Sequence, residues 1–139
     1  MPFLYHRPLR FADTDMAGVG HFAAILTIVE EAWHAWLQHL GECVHPAHAP
    51  DGAEPVGWPI VSLSADFAKP VRFGDEITAA LTIEHLGTRS IRLHFALQAN
   101  QHEFAAGSVS TACTHLDSAG HWQSRPVPAA LAKKLTANT

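Results

Sequence analysis

Between Phe22 and Leu40 the apolar residues Ile25, Leu26, Val29, Trp33, Trp36 and Leu37 recur at steps of three and four, while Thr27, Glu31, His34 and Gln38 form the opposite stripe. That spacing predicts an amphipathic helix, which Gly41 stops. At about 20 residues the helix runs roughly 30 Å, enough to cross a whole small sheet. Its broad apolar stripe has to be buried against such a sheet, and this requirement constrains the rest of the chain.

The flanking segments supply the strands. Residues 3–11 read as a strand, with Phe3, Tyr5 and Phe11 set among polar or basic neighbours. Residues 42–59 hold four prolines and two glycines and no usable period, which predicts a long loop of a kind that often covers a ligand. Beyond it the period becomes two. Val61, Leu63, Ala65 and Phe67 alternate with polar residues, as do Ile77, Ala79, Leu81 and Ile83, then Ile91, Leu93, Phe95 and Leu97 after a turn at Gly87. A last strand is expected over 103–116, with a bulge at Gly107 where the alternation shifts, and a short helix over 127–135. Strand, long helix, loop and four antiparallel strands make an α+β chain, its helix packed on a single curled sheet.

With 139 residues and 47% hydrophobic content, the chain is expected to form one domain over 1–139. A net charge of −4 leaves no basic footprint for nucleic acid. No apolar run of about 18 residues and no basic leader is present, so a soluble, cytoplasmic protein without a membrane partner is expected. Cys43 and Cys113 lack metal-type spacing and suit ordinary packing in a reducing compartment, with no disulfide expected.

Chemistry concentrates where the first strand gives way to the helix. The run Arg10-Phe11-Ala12-Asp13-Thr14-Asp15-Met16-Ala17-Gly18-Val19-Gly20-His21-Phe22 delivers two carboxylates and a Gly-rich turn to a helix N-terminus. A carboxylate beside free backbone N–H groups supplies a base or nucleophile together with an anion-stabilising pocket, the two halves of an acyl-transfer site. Asp13 has a plainer reading as a turn residue whose oxygens accept backbone N–H groups, and Asp15 taken alone is equally suited to capping. The two acids and His21 are also ordinary metal ligands, but no second spaced cluster supports a metal, and none is expected.

The eleven histidines are scattered, and His45-Pro46-Ala47-His48 sits in the Pro-rich segment, so they read as exposed side chains. His34 follows Glu30 by four residues and is expected to pair with it on the surface. Trp33 and Trp36 read as core or subunit contacts. The absence of a Gly-x-Ser-x-Gly elbow, a P-loop or a dinucleotide fingerprint removes support for serine-hydrolase, nucleotidase and dehydrogenase chemistry.

Four pieces in order resemble the 4-hydroxybenzoyl-CoA thioesterase-like family of hotdog-fold acyl-CoA thioesterases, which includes the 1,4-dihydroxy-2-naphthoyl-CoA thioesterases. They are Arg10-Phe11-Ala12-Asp13-Thr14-Asp15 with Ala17-Gly18-Val19; Glu30 with Trp36-Leu37 and Leu40-Gly41; Lys69-Pro70-Val71-Arg72-Phe73-Gly74-Asp75-Glu76; and Leu86-Gly87-Thr88-Arg89-Ser90. The chain departs from many members in having His21-Phe22-Ala23-Ala24 where they have Tyr-His-Ala-Asn, a difference that bears on the substrate.

The resemblance implies a hotdog fold and hydrolysis of an acyl-CoA thioester, aromatic or medium-chain, without a cofactor. It places the catalytic carboxylate on Asp15, as nucleophile or general base, and the carbonyl-binding N–H on Phe22. Gly18 and His21 then line the substrate, and Arg89 faces the CoA phosphates, with Arg72 and Lys69 as weaker candidates. Hotdog proteins join their sheets in pairs, so a homodimer is the expected minimum and a tetramer a common alternative. Two other functions fit the fold: a dehydratase or hydratase, for which His21 and Glu30 are imperfect stand-ins, and a non-catalytic acyl-CoA binding module, which needs no acid at position 15.

Overall fold

The apolar stripe of the long helix meets the sheet it requires. A computed structural model describes residues 1–43 and 56–137. In chain order the elements are β1 (Phe3–Pro8), a 3-10 turn (Phe11–Asp13), α1 (Phe22–His39), β2 (Val56–Gly57), β3 (Ile60–Phe67), β4 (Glu76–Leu86), β5 (Ser90–Ala99), β6 (His102–Ala112), β7 (Thr114–Leu116), β8 (Trp122–Ser124) and α2 (Ala129–Ala137). Five strands form an antiparallel sheet in the order β1-β4-β5-β6-β3, and β2-β7-β8 form a second, smaller one.

Period-two alternation puts Ile77, Ala79 and Leu81 of β4 on the same buried face as Ile91, Leu93, Phe95 and Leu97 of β5. That face shares one core with Ile25, Ile28, Trp33, Trp36 and Leu37 of α1. Each large side chain removed from water in this way stabilises the fold by about 1.5–3 kcal/mol. Trp33 and Trp36 are therefore core residues, as expected. Gly41, at φ 84°, ends α1 where Glu42 N–H bonds Leu37 O and Gly41 N–H bonds Gln38 O.

Several boundaries differ from the sequence reading. β1 stops at Pro8, three residues early, because the Asp13 carboxylate takes the Arg10 N–H and turns the chain into the 3-10 segment. Val56 and Gly57, read as loop, pair with His115 and Thr114; residues 44–55, including the His45-Pro46-Ala47-His48 run, lie outside the described residues. The single strand over 103–116 is two, because Cys113 N–H bonds Arg89 O while its own carbonyl accepts the Arg125 N–H, handing the chain to the second sheet. α2 begins at Ala129 rather than 127, since Val127 N–H is spent on Thr88 O.

Gly107 is not a bulge. It pairs in register with Ala65 on one side and Phe95 on the other, and a Cβ there would run into the Ser64 carbonyl. The register shifts fall instead at Ile60/Ser62, Ile83/His85 and Leu97/Gln98. β3 departs most from its alternating pattern: Ile60, Val61, Leu63 and Phe67 are all exposed, because among the described residues β6 alone flanks this edge strand.

Candidate active site

The loop that follows β1 is stitched to residues 71–75 at both of its ends. Leu9 exchanges backbone bonds with Asp75 and Gly74, at 2.8 and 2.9 Å, and is itself buried. At the far end Val19 bridges Arg72 and Gly20 N–H donates to Val71 O at 2.8 Å. Between these seams the chain folds into a turn around Asp15. Its Oδ1 accepts the N–H of Ala17 at 2.8 Å and of Val19 at 3.1 Å, and Gly18 takes φ 75° to close the turn. The capping role thus belongs to one carboxylate oxygen. Oδ2 has no donor among the described residues, and the side chain is exposed.

Asp13 sits differently. Its Oδ2 accepts from Arg7 Nη1 at 2.7 Å and from Arg10 N–H at 2.8 Å, and the Arg7 guanidinium holds the carboxyl below the usual carboxylate range. The same bond raises Arg7 further above its ordinary value. Asp13 is therefore a structural residue, as its plainer reading held, although the sequence argument missed the Arg7 and Glu31 that complete its ion network. A signal for Arg7 was present: it shares the phase of Phe3 and Tyr5 on β1, an arginine on a face otherwise turned inward.

Two anchors position the start of α1. His21 N–H donates to Asp13 O at 3.0 Å, and His21 Nδ1 accepts the Ala24 N–H at 3.3 Å as the N-cap. A ring nitrogen that accepts carries no proton, which leaves the proton of the neutral ring on Nε2. The N–H groups of Phe22 and Ala23 have no acceptor among the described residues, and they lie at the positive end of an 18-residue helix.

From this end an apolar groove of about 310 Å³ runs between α1 and β3, bordered by Phe22, Leu26, Val29, Trp33, Ile60 and Leu63. Glu30 lies at the far end, where a second cavity of about 490 Å³ begins beside His34, Trp58 and Trp122. Glu30 and His34 share that cavity, but no ion pair joins them among the described residues. Trp33 stands edge-on to Trp36 and Trp58, at centroid distances of 5.9 and 5.7 Å.

Asp15, Gly18, His21 and Phe22 thus converge at one end of the sheet, and Arg89 does not join them within the protomer. It occupies the turn between β4 and β5, where Nη1 lies 3.4 Å from Ser124 Oγ. Pro8, which leads to the loop, pairs with Glu76 at the opposite end of β4. The length of β4 separates the two ends by roughly 30 Å. Lys69 and Arg72 are at the Asp15 end, Lys69 in a groove of about 320 Å³ with Gly20 and Phe22. No group of three or more His, Cys, Asp or Glu able to hold a metal occurs among the described residues, and no described helix is long and apolar enough to cross a membrane.

Comparison with known proteins agrees with this arrangement. A family model described as the thioesterase-like superfamily matches residues 9–135. The 1,4-dihydroxy-2-naphthoyl-CoA hydrolase of Synechococcus sp. (strain WH7803) is 34% identical over 107 residues, covering 74% of this chain and 70% of that protein. A 1,4-dihydroxy-2-naphthoyl-CoA thioesterase from Synechocystis superposes with TM-score 0.80 over 98% of this chain and 96% of its own, at 23% identity. A 4-hydroxybenzoyl-CoA thioesterase variant, complexed with 4-hydroxybenzoyl-CoA, superposes with TM-score 0.85 over 96% and 98% at 15% identity, a likeness of fold alone. Sheet, helix and relatives together place this chain in the thioesterase-like superfamily, with the α+β architecture expected from its periodicity and the hotdog fold that the family resemblance implied.

Proposed function

We propose that the chain hydrolyses an aromatic acyl-CoA thioester to the free acid and CoA, with Asp15 acting on the carbonyl carbon and the Phe22 N–H on the carbonyl oxygen. Its class of chemistry is that of its named relatives, CoA-thioester hydrolases. The observation that carries the assignment is local. Among the described residues, one segment presents a carboxylate oxygen without a donor at Asp15 and N–H groups without an acceptor at Phe22 and Ala23, and the Asp13 carbonyl accepts the N–H of the helix N-cap His21. As the thioester is attacked its carbonyl becomes an oxyanion, and a preorganised N–H at a helix N-terminus stabilises it by about 3–4 kcal/mol. Asp15 Oδ2 either adds to the carbonyl, giving a mixed anhydride that water then opens, or takes a proton from the attacking water. Both routes consume one water and release CoA as the thiol.

The groove supports an aryl acyl group. Its walls are Phe22, Leu26, Val29 and Trp33 facing Ile60 and Leu63, and about 310 Å³ accommodates a one- or two-ring system. Gly18 permits the turn that aims Asp15, and His21 holds the helix end. Because His21 Nδ1 is occupied by the Ala24 N–H, hydratase chemistry with His21 as base gains no support.

The working unit of this proposal is a homodimer formed through β3, in the cytoplasm. Among the described residues β3 is an edge with both of its faces exposed, and an unpaired apolar edge invites a second copy. Phe67 lies toward the Asp15 end and Ile60 toward the Arg89 end, since Phe67 pairs with Ala105 and Ile60 with Thr111, whose partner on β5 is Ile91. Antiparallel pairing of two β3 strands therefore sets the Asp15 end of one protomer beside the Arg89 end of the other. Arg89 then meets the CoA phosphates across the interface, through the fork geometry that suits them.

Measuring CoA release from a panel of aromatic and aliphatic acyl-CoAs, beside hydration of an enoyl-CoA, tests the assignment. Release that is fastest with aryl substrates and lost in Asp15→Asn is expected. Hydration without release, or binding without turnover, would overturn it.

A further inference from the structure

We infer that Arg7 is a positioning residue for this site: its guanidinium ties the loop that carries Asp15 to the helix whose first N–H groups face the thioester, with Glu31 as the helix-side anchor. The inference rests on the hydrolytic reading above. Among the described residues Arg7 is the one buried charged side chain, 6% exposed. Its donors divide between two elements. Nη1 and Nη2 reach the two Asp13 oxygens at 2.7 and 3.3 Å, and Nε donates to Glu31 Oε2 at 2.8 Å, which also accepts the Tyr5 hydroxyl at 3.1 Å. Nη1 further donates to Pro8 O at 2.9 Å, fixing the guanidinium against its own strand.

Each carboxylate controls part of the site. Asp13 turns the chain through Arg10 and receives the His21 N–H on its carbonyl, so its placement sets both where the Asp15 turn begins and where α1 starts. Glu31 is nine residues beyond Phe22, roughly 14 Å along the axis, so the clamp holds the helix at a second point and fixes its direction as well as its end. Neither Arg7 nor Glu31 borders the acyl groove. Their influence on the reaction must pass through geometry.

Stability alone is a weak account of this network. Burying the guanidinium and most of the Asp13 carboxylate carries a desolvation cost that their attraction only about offsets, Glu31 stays 35% exposed where an ion pair contributes little, and apolar replacements of similar volume are often as stable. What apolar packing does not supply is a directional link between two elements. The planar fork of an arginine provides it, donating hydrogen bonds at fixed angles that lysine cannot reproduce.

Glu31→Ala, Glu31→Gln and Arg7→Gln test the clamp, with Asp15→Asn in the same assay and the folded fraction measured for each. Glu31→Ala should lower kcat about tenfold while KM stays within about twofold, the pattern of displaced reacting groups with intact binding. Glu31→Gln retains an acceptor for Nε and Tyr5 and should restore at least about half of the lost kcat. Unchanged kcat per folded molecule in Glu31→Ala would overturn the inference, even if its melting temperature fell and even if Arg7→Gln failed to fold. The two readings fail separately. A dead Asp15→Asn beside a fully active Glu31→Ala removes the clamp and keeps the base; an active Asp15→Asn beside an impaired Glu31→Ala removes the base and keeps a clamp acting on the helix end.

Discussion

Asp15 and Val19 are bonded to each other twice: Asp15 N–H donates to Val19 O at 2.8 Å, and Val19 N–H donates to Asp15 Oδ1 at 3.1 Å. The residue assigned to the chemistry is therefore also the residue that closes its own turn. These two duties use different atoms and can be separated.

Asn at position 15 keeps an amide oxygen for Val19 and Ala17 and loses the carboxylate. Asp15→Asn should cut kcat by at least ~10²-fold with little change in melting temperature. Asp15→Ala should show the same kcat loss and in addition destabilise the fold by about 1 kcal/mol, the usual cost of a lost cap. Steady-state kinetics beside thermal unfolding distinguish the two; a stable and fully active Asp15→Asn would leave Asp15 with the turn alone.

Asp13 contributes to acid stability. Its folded-state pKa is depressed by Arg7, so below the unfolded value the unfolded chain binds more protons and stability falls as pH drops. The stabilisation is complete above the ordinary carboxylate range and disappears as pH falls through the depressed value. Asp13→Asn should lower stability at pH 7 and flatten the loss at acid pH, with a smaller effect on kcat than Asp15→Asn. Denaturant titrations between pH 7 and pH 3 check the slope, and an unaltered slope would contradict it.

Arg89, remote from the reacting bond, should affect binding. Arg89→Ala should raise KM for acyl-CoA with kcat nearly intact, and should matter little for an acyl-pantetheine thioester that lacks the nucleotide. Equal effects on both substrates would make Arg89 a structural residue of the β4–β5 turn.

If the phosphates are held across β3, mixing Asp15→Asn chains with Arg89→Ala chains creates one intact site per heterodimer. At substrate well below KM, activity should recover to a sizeable fraction of wild type. Recovery no greater than the sum of the parents, in a sample shown by mass to contain heterodimers, would return Arg89 to its own protomer.

Gly107 offers a test of the sheet. Its missing Cβ leaves room for the Ser64 carbonyl, which belongs to backbone and cannot swing aside. Gly107→Ala should destabilise the chain by about 1–3 kcal/mol, the range for overpacking, and loosen β3 from β6. Size-exclusion chromatography should then show the proposed dimer weakened.

Periodicity carried the long-range plan: the three-and-four spacing of α1 and the alternation of β4 and β5 each reflect one face turned to a common core, so element type and burial could be read locally. The Asp15–Gly18 turn and the Phe22 helix start were equally legible, because turns and caps are made by residues a few positions apart. Contacts made across the fold were not. The Glu31 partner of Arg7 is 24 residues away, the β6–β7 switch depends on Arg89 and Arg125 meeting Cys113, and β3 is exposed because no second described strand flanks it, which its own sequence cannot tell. Arg89 makes the point most directly. The family resemblance implied a phosphate role for its turn, yet only the antiparallel run of β4 set it at the opposite end of the sheet from Asp15, since the direction of a strand relative to its partners is a property of the assembled sheet.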